Sequence, residues 1–169
     1  MNVVVRPFAP DDAPVLTDLL NAIIARGGTT ARQIAFTPEA LTKSDFNSPD
    51  VHICLVAVDP ATNRIEGYQT LGRNPDLPGE IGDIATFARI NGAQRGVGSA
   101  LFAAMIDAAR AHGLTAINAT IRADNTGGLA FYTKQGFADH AVTVAIPLAD
   151  GTPVDRIHKR YVLAEAIAA

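Results

Sequence analysis

The chain has 169 residues, of which 48% are hydrophobic, and its 14 basic and 17 acidic residues give a formal net charge of -3. This length can bury one sizeable hydrophobic core but is short for two, so we expect a single domain over residues 1–169. The acidic balance disfavours a nucleic-acid partner, which needs a concentrated basic face. Without a charged leader or a run of about 18 apolar residues, the sequence predicts a cytoplasmic protein with no membrane partner.

The N-terminal half predicts a strand, two helices and a hairpin. Apolar residues from Val15 to Ile24 recur with helical spacing, and Asp11 and Asp12 before them are candidates for the N-cap. The expected elements, in chain order, are a strand over 2–6, a helix over 15–24, a short helix from Pro38 to about Ser44 capped by Thr37, and strands over 51–58 and 65–71.

The C-terminal half continues with alternating strands and helices. The expected elements are a strand over 80–90, a helix from about Val97 to His112, a strand over 115–121, a helix over 126–135, and strands over 137–146 and 157–163. The succession of strand, helix and strand indicates a crossover between two neighbouring strands. Together the two halves predict a mixed sheet with helices on both faces.

The segment from 87 to 101 joins a strand to a helix and contains Gly96 and Gly98. A helix N-terminus offers unpaired N–H groups and the positive end of the helix dipole to an anion, and glycines let a phosphate approach the backbone closely. The amides of residues 94–99 are therefore a candidate phosphate site. Two glycines also suit a tight turn and close helix packing, so that alternative stays open.

Two motifs of this region resemble the GNAT (GCN5-related) family of N-acetyltransferases. They are Gln94-Arg95-Gly96-Val97-Gly98-Ser99-Ala100-Leu101, and Asn125 to Tyr132 followed by Gln135-Gly136-Phe137. The motifs have the order and spacing of the family, and the resemblance is close over 84–137. The family's Gln or Arg three residues before the first loop glycine falls on Ala93, whereas a reading from Arg95 restores an Arg. Two registers of the loop therefore remain.

The resemblance implies an acyl-CoA N-acyltransferase fold, in which a mostly antiparallel sheet contains one splayed pair of parallel strands. It also implies that acetyl-CoA is the cosubstrate and that it binds where these two strands separate. The residues implied in cofactor binding are Thr86, Phe87, Ala88, Gln94, Arg95, Gly96, Val97, Gly98, Ser99 and Asn125.

By the same resemblance, an amine attacks the thioester directly and the reaction passes through a tetrahedral intermediate. A strand amide near Phe87 or Ala88 is the expected oxyanion donor, and Tyr132 is the expected acid for the departing thiolate. Glu80 and Asp83 are candidates to take a proton from the amine, directly or through water. The alternatives are that Tyr132 is only a wall of the cleft and that the carboxylates are solvated or bonded in the core.

The expected acceptor is a primary amine of a small molecule. A protein lysine or N-terminus, a non-catalytic module that binds CoA, and a nucleotide-binding module are the competing interpretations, and a homodimer is left open. No metal site is predicted, because the histidines have no carboxylate or thiol at ligand spacing. They are His52, His112, His140 and His158.

Overall fold

The computed structural model of the chain describes residues 2–92 and 95–163. The strands are β1 (Val4–Pro7), β2 (Val51–Asp59), β3 (Arg64–Gly72), β4 (Ile81–Ala88), β5 (Ala116–Arg122), β6 (Ala138–Pro147) and β7 (Pro153–Val162). The helices are α1 (Ala13–Arg26), α2 (Pro38–Leu41), α3 (Val97–Ala111) and α4 (Thr126–Gln135). A 3₁₀ turn (Pro10–Asp12) precedes α1, and a π-helical turn (Thr42–Phe46) follows α2.

The strands form one sheet in the order β1-β2-β3-β4-β5-β7-β6. Strands β4 and β5 are parallel, and the other neighbouring pairs are antiparallel. The connection between the parallel strands passes through α3, as the succession of strand, helix and strand predicts. The last strand, β7, lies between β5 and β6, so the β6–β7 hairpin adds to the sheet with its second strand inside.

The parallel pair separates part of the way along its length. Pairing between β4 and β5 runs from Ile81 opposite Ala116 to Ile84 opposite Ala119. Beyond this point β4 continues to Ala88 beside β3, while β5 stays paired with β7. The sheet therefore opens into a gap at the carboxyl ends of two adjacent parallel strands, which is where open α/β sheets bind ligands.

Helices cover both faces of the sheet. Leu101, Phe102 and Met105 of α3 pack with Ile117 and Ile121 of β5 on one face, and Tyr132 and Phe137 extend this cluster. On the opposite face, Leu16, Leu19 and Ile23 of α1 pack against side chains of β2 and β3. Because successive strand residues point to opposite faces, both clusters use the same strands. The predicted mixed sheet with a splayed parallel pair is confirmed.

The N-terminus differs from the expectation that Asp12 caps α1. No side chain caps α1; both Asp12 oxygens accept hydrogen bonds from the Arg6 guanidinium, and one also accepts from the Ala9 amide. The charge-assisted hydrogen bonds to Arg6 replace the cap that the Asp12 carboxylate could have formed with the first amides of α1. The predicted cap of α2 is confirmed, because Thr37 Oγ1 accepts from the Ala40 amide.

Strand β7 begins at Pro153, four residues before the predicted start at 157. A proline is acceptable at the first position of a strand, where its missing N–H costs no ladder hydrogen bond. None of the helices in the two described ranges has the length and apolar character that crossing a bilayer requires.

Candidate active site

A cleft of about 670 Å³ lies at the gap between β4 and β5. One wall comes from the N-terminal turns of α3 and α4, and its residues are Gly98, Gly127, Gly128, Phe131 and Tyr132. The floor is the separated end of β4, with Ile84 to Ala88. The other wall comes from the α1–α2 loop and from β5 and β7, and includes Thr29 to Arg32, Thr120, Arg122 and Arg156. The cleft therefore reaches both faces of the sheet.

Helix α3 presents its N-terminus to this cleft. Its N-cap, Gly96, has a left-handed backbone with φ of 72°, a conformation that glycine adopts without steric cost. Gly98 lies in the first turn and lines the cleft. The first N–H groups of a helix have no intrahelical acceptor, and they carry the positive end of the dipole. The loop thus has the local structure that anion binding requires.

Gly98 also allows α3 and α4 to pack closely. A Cβ at this position would lie 2.6 Å from Cε1 and 2.8 Å from Cζ of Phe131 in α4. Real Cβ contacts are not this short, so a side chain here would push α3 and α4 apart. The sequence left two explanations of the glycines open, and the geometry at Gly98 supports the close packing of helices without removing the anion site.

The remaining loop residues are placed in different ways. Val97 is buried in the core, so only its backbone can face a ligand. Ser99 Oγ accepts a hydrogen bond of 2.9 Å from Gln135 of α4. Arg95 is exposed to solvent, and the predicted cofactor residue Gln94 lies outside the described residues.

Asn125 lines the cleft and ties three segments together. Its Oδ1 caps α4 by accepting from the Gly128 amide at 2.9 Å, and its Nδ2 donates to the carbonyl of Thr29 in the α1–α2 loop at 3.2 Å. A Cβ at Gly128 would lie 2.5 Å from this Nδ2. Both polar ends of the Asn125 side chain are therefore used within the protein. The side chain fixes the cleft wall through these two contacts.

Thr86 and Tyr132 meet where the strands separate. The Thr86 Oγ1 and Tyr132 Oη atoms are 2.9 Å apart, and Gln69 Nε2 of β3 donates to the same Oγ1 at 2.9 Å. Burial raises the pKa of Tyr132 to about 12; the hydrogen bond to Thr86 opposes this rise, and the charge of Asp83 adds to it. The phenol is thus buried, protonated at neutral pH and in contact with the cleft.

The backbone of β4 alternates between its two neighbours. The Arg89 amide donates to the Glu66 carbonyl of β3 at 2.8 Å. Successive residues of a strand turn their N–H groups in opposite directions, so the Phe87 amide also faces β3, while the amides of Thr86 and Ala88 face the gap. The amides of Phe87 and Ala88 were the two candidates for the oxyanion donor, and the amide of Ala88 is the one directed into the cleft.

The two carboxylates proposed from the sequence lie near the amino end of β4, away from the widest part of the gap. Glu80 is exposed and precedes the strand; its carbonyl accepts from the Thr115 amide. Asp83 is half-buried, and its oxygens accept from Asn118 Nδ2 at 2.9 Å and Asn74 Nδ2 at 3.2 Å. Neither is among the described lining residues. Asp83 does share a strand face with Ala85 and Phe87, which line the cleft.

The cleft wall on the α1 side was not anticipated. It carries Thr120, Arg32, Arg122 and Arg156. Arg32 forms a two-pronged ion pair with Asp45, at 2.8 and 3.0 Å. The signal available in the sequence is alternation: polar residues alternate with apolar ones in β5, and they also occupy every second position in β7, although Asp155 and Lys159 lie between them. These residues are Asn118, Thr120 and Arg122 in β5, and Arg156, His158 and Arg160 in β7.

Known proteins resemble the chain in both sequence and fold. An N-acetyltransferase of Streptomyces griseus is 28% identical over 140 residues, covering 79% of this chain and 72% of that protein. A phosphinothricin N-acetyltransferase of Streptomyces coelicolor is 29% identical over 139 residues, covering 80% and 81%.

Solved structures of low sequence identity share the fold. One is a GNAT superfamily phosphinothricin acetyltransferase from Sinorhizobium meliloti in complex with AcCoA, with a TM-score of 0.83, 17% identity, and coverage of 100% of this chain and 92% of that one. Another is a ribosomal-protein-alanine N-acetyltransferase from Brucella melitensis, with a TM-score of 0.83, 20% identity, and coverage of 95% and 99%.

The sequence profile described as the acetyltransferase (GNAT) family matches residues 29–137. This range includes both motifs that carried the resemblance and all of the cleft floor. Since the match spans more than half of the 169 residues, the chain belongs to the GNAT family of acetyltransferases.

Proposed function

We propose that the protein transfers the acetyl group of acetyl-CoA to the primary amine of a small molecule. The observation that carries the proposal is the convergence of Tyr132, Thr86 and the N-terminus of α3 on one cleft at the gap between β4 and β5. The cleft supplies a proton donor, a polar strand edge and an anion site in one place. These are the groups that acyl transfer from a thioester to an amine requires.

The cleft fits acetyl-CoA. The N-terminus of α3, with left-handed Gly96, is suited to the pyrophosphate, and the open edge of β4 over Thr86 to Ala88 can pair with the amide-containing arm. The relative from Sinorhizobium meliloti was solved with AcCoA, which supports the same cosubstrate here. When bound, acetyl-CoA supplies an activated acetyl carbonyl and a thiolate leaving group.

Three groups have roles in the proposed reaction: the Ala88 amide, the Asp83 carboxylate and the Tyr132 hydroxyl. The Ala88 amide, which faces the gap, donates a hydrogen bond to the carbonyl oxygen as negative charge develops there. Asp83, which does not line the cleft itself, takes the proton of the substrate ammonium through water, so that the nitrogen lone pair becomes available. A C–N bond then forms and the nitrogen loses its second proton to solvent. As the C–S bond breaks, the Tyr132 hydroxyl gives its proton to the sulfur and is reprotonated from solvent.

The hydrogen bonds around Thr86 direct the proton of Tyr132. Gln69 donates to Thr86 Oγ1, and Thr86 has a single hydroxyl hydrogen to give. When Thr86 donates that hydrogen to Tyr132 Oη, the phenolic hydrogen is left free for the cleft. In that arrangement Thr86 holds the Tyr132 oxygen in place, and the phenolic proton points to the leaving group.

The α1–α2 loop favours a small acceptor over a protein. Its carbonyls accept from Asn125 at Thr29 and from Arg122 at Thr30. Gln33 and Asp150 exchange two hydrogen bonds, of 3.0 and 2.8 Å, which join the loop to the turn between β6 and β7. The loop is thus fastened beside the cleft by these contacts, which favours a small acceptor over a flexible protein segment.

The test is a screen of amines with acetyl-CoA that follows the release of CoA thiol. We expect release that depends on both the amine and the enzyme. Calorimetry with acetyl-CoA alone separates the steps: binding without transfer to any amine would favour the non-catalytic CoA-binding module. Absence of binding at millimolar acetyl-CoA would remove the basis of the proposal.

Three further expectations from the sequence stay predictions. They are the single domain over 1–169, the cytoplasmic location and the homodimer. Light scattering on the purified protein would measure the oligomeric state.

A further inference from the structure

The arginines that line the cleft differ in how many partners their guanidinium groups have among the described residues. The described lining residues include five arginines and no carboxylate. Arg32 is paired with Asp45 and Arg122 with Asp124, and the guanidinium of Arg89 is held by the Ile65 carbonyl through two nitrogens. Arg26, at the end of α1, is exposed. Arg156 remains as the buried member of the group without a carboxylate partner in the described part of the chain.

Arg156 is 8% exposed, and its Nη1 donates to the Val154 carbonyl of its own strand at 2.7 Å. This is the one hydrogen bond of its guanidinium within the described residues, although the group has five N–H donors. In the described part of the chain, the fully buried polar atoms without a partner lie elsewhere, so the unused nitrogens of Arg156 keep access to the cleft. Its position on the cleft wall leaves the unused donors where a ligand can reach them.

The sheet separates Arg156 from the proposed phosphate site. Arg156 pairs with Arg122 across β7 and β5, and the neighbouring pair is Ile157 with Ile121. Ile121 packs on the face covered by α3 and α4. Since side chains alternate between faces, Arg122 and Arg156 point to the α1 face. The N-terminus of α3 and the arginine therefore approach the gap from opposite sides, one on the proposed cosubstrate side and one on the acceptor side.

We infer that Arg156 binds a carboxylate of the acceptor, so that the substrates are amines that also carry an acid group, such as amino acids. This inference rests on the proposed function and names its substrate class. A guanidinium can bind a carboxylate through two parallel hydrogen bonds, which fixes the orientation of the substrate as well as its charge. Asp124 is half exposed and forms its ion pair with Arg122. Its charge also acts on Arg156 without forming an ion pair, so the unused N–H donors of Arg156 stay available to a ligand.

The experiment compares free amino acids with the corresponding amino-acid amides, which keep the amine and remove the negative charge. Arg156→Gln should raise KM for the acids about 10- to 100-fold, the range for loss of a charged hydrogen bond. It should leave kcat/KM for the amides within about threefold and KM for acetyl-CoA unchanged. Arg110→Gln, which removes an exposed guanidinium from the last turn of α3, is the matched control.

Equal losses for acids and amides, or a higher KM for acetyl-CoA in Arg156→Gln, would overturn the inference. If Arg156→Gln does not fold, Arg156→Lys keeps the charge without the two-pronged geometry and should show a smaller loss confined to the acids. If no amine of either class is acetylated, the proposed function has failed. Calorimetric titration of the same pairs into the protein with acetyl-CoA then decides the inference: tighter binding of acids than of amides supports it, and equal binding refutes it.

Discussion

The Thr86 hydroxyl of β4 lies 2.9 Å from the Tyr132 hydroxyl of α4, across the gap where β4 and β5 separate. The contact joins β4, which would bind the amide-containing arm of acetyl-CoA, to α4, which carries the proposed acid. Because Tyr132 belongs to the core cluster beneath α3, its ring is fixed by packing and its hydroxyl by Thr86. The proposed proton donor is therefore held in place by the protein itself.

Tyr132→Phe tests the acid directly. The ring and its packing are retained and one hydroxyl is lost, so the affinity for acetyl-CoA should change little. The chemical step should slow by about 10²–10⁴-fold, the usual contribution of a general acid. Single-turnover kinetics are required, because slow product release would hide the effect in kcat. A chemical step equal to that of the wild type would leave Tyr132 as a wall of the cleft.

Thr86 should act through Tyr132. Thr86→Val keeps the shape of the side chain and removes the hydroxyl, so Gln69 and Tyr132 both lose their partner. We expect the chemical step to slow by about fivefold, since one neutral hydrogen bond contributes roughly 1 kcal/mol. Thr86→Ser, which restores the hydroxyl, should recover most of the rate. A Ser variant as slow as the Val variant would point to packing as the cause.

The raised pKa of Tyr132 predicts an alkaline loss of stability. Burial raises this pKa to about 12, above the value of about 10 for an unfolded tyrosine. Folding therefore favours the neutral phenol, and this contribution is complete below pH 10 and is lost as the pH rises through 12.

Urea unfolding at pH 8, 10 and 11 measures the effect. Tyr132→Phe should show a smaller decline over this range than the wild type. Part of the decline should remain in the variant, because burial also raises the pKa of Tyr68. An identical decline in the two proteins would contradict the assigned pKa.

The fold was predictable because its signals are local. The helical spacing over 15–24, the Thr37-Pro38 cap and the strand-helix-strand succession around 80–121 each depend on a few neighbouring residues. The family resemblance over 84–137 then predicted that Thr86, Gly98 and Tyr132 lie at one cleft. The position of β7 between β5 and β6 was not predicted, since strand order depends on contacts between segments distant in sequence.

The cleft wall on the α1 side could not be predicted from local sequence signals. Arg32, Arg122 and Arg156 come from three segments that are adjacent only in the folded chain. Each is also ordinary in its own segment, where an arginine reads as a solvated residue. Burial changes that interpretation for Arg156, and burial is a property of the tertiary structure. Asp12 is the opposite case. Its position before α1 predicts a helix cap, but in the folded chain its carboxylate binds Arg6 instead.

The contact between Gly98 and Phe131 predicts a coupled loss of stability and of cosubstrate affinity. Gly98→Ala places a Cβ where Phe131 ring atoms lie within 3 Å, and overpacking of this kind costs about 1–3 kcal/mol. Displacement of α3 from α4 should also weaken acetyl-CoA binding. Denaturant unfolding and calorimetry measure the two effects.

Gly127→Ala is the matched control for stability. Gly127 lies in the first turn of α4, and a Cβ there has its nearest neighbour at 3.9 Å, so Gly127→Ala should cause no loss of stability. The smaller side chain in Phe131→Leu should partly restore the stability of Gly98→Ala. A Gly98→Ala protein as stable as the wild type would show that the helices can adjust without cost.

The sequence predicts both Asp83 and Glu80 as candidates to take the amine proton, but the structure places them in different surroundings. Asp83 shares a strand face with the cleft residues Ala85 and Phe87, and Asn118 holds its carboxylate at 2.9 Å, while Glu80 is exposed before β4 begins. If Asp83 takes the proton from the ammonium, Asp83→Asn should lower kcat/KM by about 10²–10⁴-fold near neutral pH. The deficit should shrink as the pH approaches the pKa of the acceptor amine, because the solvent then supplies the unprotonated amine. Glu80→Gln should follow the wild-type profile throughout. A deficit in Asp83→Asn that stays constant with pH would assign Asp83 to holding Asn74 and Asn118 in place, and would leave water as the acceptor of the proton.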